Sequence, residues 1–126
     1  MARILVADDE LILALWLQDV LADEGHQVEL ASDGAAALDM ALALALELVI
    51  TDFMMPGLTG LELAAAIRSD ERLAMTPIIL VSGAQGDLAR QRGDLFQAVF
   101  DKPYKPDKLV MELNRILRLP DPRERD

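Results

Sequence analysis

In this sequence, side chains able to do chemistry stand directly after short aliphatic runs. Asp8 and Asp9 follow Arg3–Ala7, Asp52 follows Leu48–Thr51, Ser82 follows Pro77–Val81, and Lys102-Pro103 follows Ala98–Asp101. If those runs are strands of one sheet, these side chains converge at one rim. Carboxylates crowded together repel one another, so the cluster calls for a compensating cation, and hard oxygen ligands suit Mg2+. Beside such an ion, one carboxylate can attack phosphorus while the cation neutralises the phosphoryl oxygens. Lys102 brings a second positive charge, and Ser82 a hydroxyl that can donate to a phosphoryl oxygen. Phosphoryl transfer is the chemistry this set permits.

The elements that must position these residues alternate along the chain. Strands are predicted at Arg3–Ala7, Gln27–Leu30, Leu48–Thr51, Pro77–Val81 and Ala98–Asp101, and helices at Leu11–Glu24, Gly34–Leu46, Leu61–Glu71, Asp87–Gly93 and Pro106–Leu117. Aliphatic runs between amphipathic stretches predict βαβ units and a parallel sheet covered on both faces. Gly25 is placed to end the first helix, Ser32-Asp33 to cap the second, and Pro56-Gly57 with Gly60 to shape the loop before the third. Ala41 to Leu46 alternates with strand period, but Ala favours helix and neither residue type is β-branched, so the segment reads as a helix end. The fold expected is a doubly wound α/β sheet, whose site lies beyond the carboxyl ends of the strands where the strand order switches.

A length of 126 residues suits one domain, 1–119, with a polar tail at 120–126. Twenty-two acidic residues against twelve basic ones give a charge of −10, and the basic residues are not gathered in a patch. Such a field repels polyanions, so direct nucleic-acid binding is not expected. The absence of cysteine excludes thiol catalysis, disulfides and Cys-based zinc sites. No apolar run is long enough for a signal core or a membrane span, and a cytoplasmic location is expected.

Four segments then carry a family resemblance. Ile4-Leu5-Val6-Ala7-Asp8-Asp9-Glu10, Leu48 through Gly60 around Asp52, Ile78-Ile79-Leu80-Val81-Ser82-Gly83-Ala84, and Asp101-Lys102-Pro103-Tyr104 resemble, in order, the signature segments of response-regulator receiver domains. The resemblance spans Arg3 to about Leu117. It implies a flavodoxin-like five-stranded sheet of order 2-1-3-4-5 with helices on both faces. By the same resemblance Asp52 is the phosphoacceptor and a metal ligand, and Asp8 and Asp9 are the acidic pair that binds Mg2+, Asp9 the more directly, with Mn2+ or Ca2+ able to substitute. Met54 offers its backbone carbonyl to the metal, Ser82 is the switch hydroxyl, Lys102 pairs with the phosphate, and the Lys102-Pro103 peptide is cis. The partners it implies are a sensor histidine kinase or histidine phosphotransfer protein and a downstream protein target.

The pattern departs from the family at Val99, where receivers commonly place an aromatic switch residue three positions before the lysine. Phe100 is adjacent, but a one-residue shift along a strand reverses the face. The stretch from Ser82 to Lys102 is short, so a brief fourth helix is expected. On the first helix, Leu13, Trp16, Leu17, Val20 and Leu21 form a core stripe by helical spacing, and Trp16 is assigned no chemistry. His26 is read as structural. The other side carries Leu11, Leu15, Gln18 and Ala22 with no charge among them. Exposed apolar faces tend to mark contacts, so Leu11 and Leu15 are expected to dock a kinase or phosphotransfer helix, or a second copy of the chain.

The reading is a two-component or phosphorelay switch that catalyses its own phosphorylation and dephosphorylation, with no separate substrate turnover, as a stand-alone regulator or a receiver taken from a longer protein. One rival is a receiver-like interaction module that is never phosphorylated. A second is a phosphatase of the haloacid-hydrolase type, which needs an acid two residues after the nucleophile; Met54 stands there instead.

Overall fold

The computed structural model describes residues 2–118; the predicted tail at 120–126 lies outside the described residues. Ten elements alternate: β1 (Arg3–Ala7), α1 (Leu11–Asp23), β2 (Gln27–Ala31), α2 (Gly34–Ala43), β3 (Leu48–Asp52), α3 (Gly60–Ser69), β4 (Ile78–Ser82), α4 (Gly86–Arg90), β5 (Ala98–Asp101) and α5 (Pro106–Ile116). The strands pair in parallel in the order β2-β1-β3-β4-β5. This is the doubly wound, flavodoxin-like order. The chain leaves β1 toward β2 on one side and returns to β3 on the other, so the crevice opens above the ends of β1 and β3.

Successive strand side chains point to opposite faces, and both faces are covered. Leu5, Ala7, Val49, Ile78 and Leu80 pack against Ala37 and Ala41 of α2, Leu63 and Ile67 of α3, and Ala89 of α4. Ile4, Val6, Ile50, Ile79 and Val81 pack against Leu17 and Leu21 of α1 and Leu109 and Leu113 of α5. This double coverage explains why β3 and β4 are buried at every residue. Local signals set the helix ends. Gly25 takes φ +89° just past α1, Asp33 accepts the Ala36 N–H at 2.7 Å, and Thr59 with Glu62 forms a capping box at the start of α3. His26 is buried, accepting the Ala2 N–H at Nδ1.

Three expectations need correction. Helix α2 stops at Ala43, and Leu44 is already extended; leaving the helix there lets Leu46 pack on the core before β3 begins. Helix α4 covers only Gly86–Arg90. Past Arg90 the chain turns instead of continuing as a helix to Gly93: the Leu95 and Phe96 N–H groups both donate to the Arg92 carbonyl, and this turn buries both side chains. Finally, Trp16 and Leu13 are not core: Trp16 is 41% exposed. Only Ala14, Leu17 and Leu21 of α1 are fully buried, because the helix presents a narrow stripe to the sheet.

Candidate functional site

Ala7 lies opposite Thr51 in the β1–β3 ladder, so the next residues, Asp8 and Asp52, emerge side by side at the carboxyl ends. Beyond β5, the Lys102 N–H donates to the Ser82 carbonyl at 2.8 Å, which keeps the chain beside β4 as it leaves the sheet. The lysine then reaches back over the rim. Its Nζ lies 3.4 Å from Asp52 Oδ2, 3.7 Å from Asp8 Oδ2 and 3.8 Å from Glu10 Oε1. Asp52 is only 9% exposed, and its Oδ1 accepts the Phe53 N–H at 2.9 Å. Asp8 Oδ1 accepts the Glu10 N–H at 2.9 Å, curling the chain so that Glu10 turns toward the site.

Gly60 brings α3 against this strand end. Its N–H donates to the Phe53 carbonyl at 2.7 Å. A Cβ at position 60 would collide with the Asp52 carbonyl oxygen and come within 2.9 Å of Leu80 Cδ1.

The electrostatics follow from three carboxylates facing one ammonium. Burial pushes the Asp52 pKa up; Lys102 and the Phe53 N–H pull against it, and the Asp9 charge adds to the rise. Burial likewise raises Asp8, opposed by the Glu10 N–H and by Lys102, with the Asp52 and Glu10 charges adding to it. For Lys102, burial disfavours the ammonium, but Asp8, Asp52 and Glu10 together outweigh it and the pKa rises. All three groups hold their protons more tightly than in water, the two carboxyls chiefly because they are buried and the lysine because carboxylates surround it. Asp8, Glu10 and Asp52 offer carboxylate oxygens that lie within 4.8 Å of one another. A set of hard oxygen donors with excess negative charge fits a divalent cation.

Residues 4–114 match the family model described as response regulator receiver domain. The chain belongs to this family. It is 34% identical over 121 residues to the response regulator ArlR of Staphylococcus aureus, covering 94% of this chain and 53% of that protein. It is 27% identical over 117 residues to the probable transcriptional regulator ycf29 of Pyropia yezoensis, covering 91% and 53% respectively. The receiver thus spans about half the length of these curated relatives. Among solved structures, the chemotaxis response regulator CheY4 of Vibrio cholerae is similar with a TM-score of 0.85 and 30% identity, covering 92% of this chain and 98% of that one. The Thermotoga maritima response regulator TrrA, in complex with Mg(2+)-BeF, gives a TM-score of 0.81 at 30% identity, covering 92% and 99%.

The remaining residues singled out by sequence are distributed around the receiver's rim. Asp9 is exposed and lies outside the three-carboxylate group, where Glu10 stands instead. Sequence reasoning passed over Glu10, although it is the third acid of the Asp8-Asp9-Glu10 run. The Met54 side chain is 57% exposed, and its backbone carbonyl accepts no hydrogen bond among the described residues. Ser82 is buried; its Oγ accepts the Gln85 N–H at 2.8 Å and donates to Gln85 Oε1 at 3.2 Å. Nothing in the sequence pattern marks Gln85 for this contact. Val99 packs on the α2–α3–α4 side of the sheet and Phe100 on the α1–α5 side. The Lys102-Pro103 peptide is cis. A cavity of about 600 Å3 opens from Asp8, Asp52 and Lys102 between Trp16 and Tyr104.

Proposed function

We propose that this receiver is a phosphorylation switch whose acceptor is Asp52, phosphorylated by a sensor histidine kinase or histidine phosphotransfer protein. The observation that carries this reading is the ion-pair contact of Lys102 with both Asp52 and Asp8 in a buried pocket of excess negative charge. Asp8, Asp52 and Glu10 or Asp9, with the Met54 carbonyl, would hold a divalent cation, Mg2+ or in its place Mn2+ or Ca2+, which would neutralise charge on the phosphoryl oxygens. TrrA, its structural relative, is described in complex with Mg(2+)-BeF.

The chain's own residues do the rest. An Asp52 oxygen attacks phosphorus, the P–N bond of the phosphohistidine breaks, and the donor imidazole leaves with the bond's electron pair. Lys102 exchanges part of its carboxylate pairing for a phosphoryl oxygen, and the carboxylates of Asp8, Asp52 and Glu10 favour its charged form at the start. Ser82 must turn from Gln85 to donate to the phosphoryl group, shifting a two-state equilibrium that a downstream protein reads. Later attack of water on the aspartyl phosphate restores the carboxylate. The donor docks on α1, where Leu11 and Leu15 are 63% and 44% exposed, and a second copy of the chain is the alternative occupant. No helix of the described residues is long and apolar enough to cross a membrane; we place the receiver in the cytoplasm.

Intact mass after incubation with Mg2+ and acetyl phosphate tests the reading. The native chain gains one phosphate and Asp52→Asn gains none. No gain by the native chain, from acetyl phosphate or from a histidine kinase, returns the protein to the class of unphosphorylated interaction modules.

A further inference from the structure

Position 99 offers no aromatic ring to report on the site. The opposite face of the sheet does offer a path. Tyr104 lies two residues beyond Lys102. Its ring centroid is 6.0 Å from that of Phe100, edge-on, and 6.1 Å from that of Trp16 on α1, tilted by 53°. Trp16, Tyr104, Ile12 and Leu13 wall the same cavity that reaches Asp52 and Lys102. A void supplies no contacts on one side of the atoms that line it, so these rings can shift without expelling packed neighbours. Ile12 and Trp16 are also 83% and 41% exposed, so one end of the aromatic path is open to solvent.

We propose that Tyr104, braced by Trp16 in the wall of the cavity that Asp52 and Lys102 share, is a positioning residue for Lys102, and that this aromatic path carries the phosphorylation state of Asp52 to the outer face of α1. The inference rests on the phosphorylation reading above. When Lys102 changes partners from carboxylate to phosphoryl oxygen, its side chain shifts within the cavity that Tyr104 also lines, and the Tyr104 ring adjusts to it. Trp16 then repacks, and α1 presents a different apolar surface. Coupling of this kind is reciprocal, so a protein covering Trp16 also changes the readiness of Asp52 to accept phosphate.

Trp16 is the only tryptophan in the chain, so its fluorescence reads the path directly. Emission and intact mass are followed together during incubation with Mg2+ and acetyl phosphate. In the native chain the phosphate adduct and a change in Trp16 emission arise with one time course, and Asp52→Asn shows neither. Tyr104→Phe, which keeps the ring, behaves as the native chain. Tyr104→Leu loses the emission change and is phosphorylated about tenfold or more slower, since small misplacements of a positioned group cost that much. Because Tyr104→Leu could misfold, Trp16→Ala at the half-open end of the path serves as a second variant, with a similarly slowed adduct. A native adduct with unchanged emission overturns the inference and leaves the phosphorylation reading intact. Native rates in both Tyr104→Leu and Trp16→Ala also overturn it. Absence of any adduct on the native chain rejects both.

Discussion

Gly60→Ala tests whether the backbone approach of α3 to β3 sets the site. The new methyl group meets the Asp52 carbonyl oxygen, lies 2.9 Å from Leu80 Cδ1 and 3.1 Å from the Asp52 carbonyl carbon, all within the buried core. Two of those atoms are backbone, so relief requires moving the strand end or lifting α3. Overpacking of a filled interior costs about 1–3 kcal/mol. For a domain of this size that corresponds to a fall in Tm of roughly 3–15 °C. A displacement on the order of 1 Å at Asp52 should also slow phosphorylation by about 100-fold. Gly83→Ala is the matched control, because a Cβ there meets nothing within 4 Å; it should change stability by less than about 0.5 kcal/mol. Thermal unfolding and the rate of phosphate uptake, measured on both variants, decide the matter. If Gly60→Ala melts and reacts as Gly83→Ala does, the close approach of α3 does not position Asp52.

Two further outcomes are expected. Asp8 and Asp52 have raised pKa values in the fold, so their ionisation costs stability at neutral pH; the cost is removed as pH falls through those raised values toward 3.8. Asp70 and Asp94, lowered by Arg72 and Arg92, act oppositely, losing stability only below 3.8. Chelator-treated native protein should therefore gain stability on mild acidification, and Asp52→Asn should raise the neutral Tm and reduce that gain; an unchanged profile would refute the pocket electrostatics. On α1, Leu15→Glu places a charge on an exposed apolar position. It should leave Tm within about 0.5 kcal/mol equivalent of native yet weaken binding to a cognate kinase by tenfold or more, measured by titration; unchanged binding removes this face from the docking surface.

Much of this receiver was legible from residue order. The inner strands β1, β3 and β4 were readable because parallel strands buried on both faces must be largely aliphatic, as Ile78–Ser82 is up to its final serine, while the edge strands β2 and β5 showed as shorter apolar runs between helices. Asp8, Asp52, Ser82 and Lys102 stood out because each follows such a run, and parallel strands place all their carboxyl ends on one rim. Less legible was anything set by the path of the chain after the strand. Glu10, rather than Asp9, turns toward Lys102 because the Asp8 side chain captures the Glu10 N–H. The end of α2 at Ala43 reflects where Leu46 must reach the core, a demand that alternation of Ala and Leu does not express.

By itself, then, the order of residues determined the alternation of elements, the doubly wound sheet and the kind of chemistry at its rim, since these depend on local periodicity and on which residue follows each strand. Only the tertiary structure decided that Trp16 stands half-open against Tyr104, and that the two rings border the cavity reaching Asp52 and Lys102. Those depend on how far apart separate elements come to rest, a distance fixed by packing of the whole core and carried by no single stretch of chain.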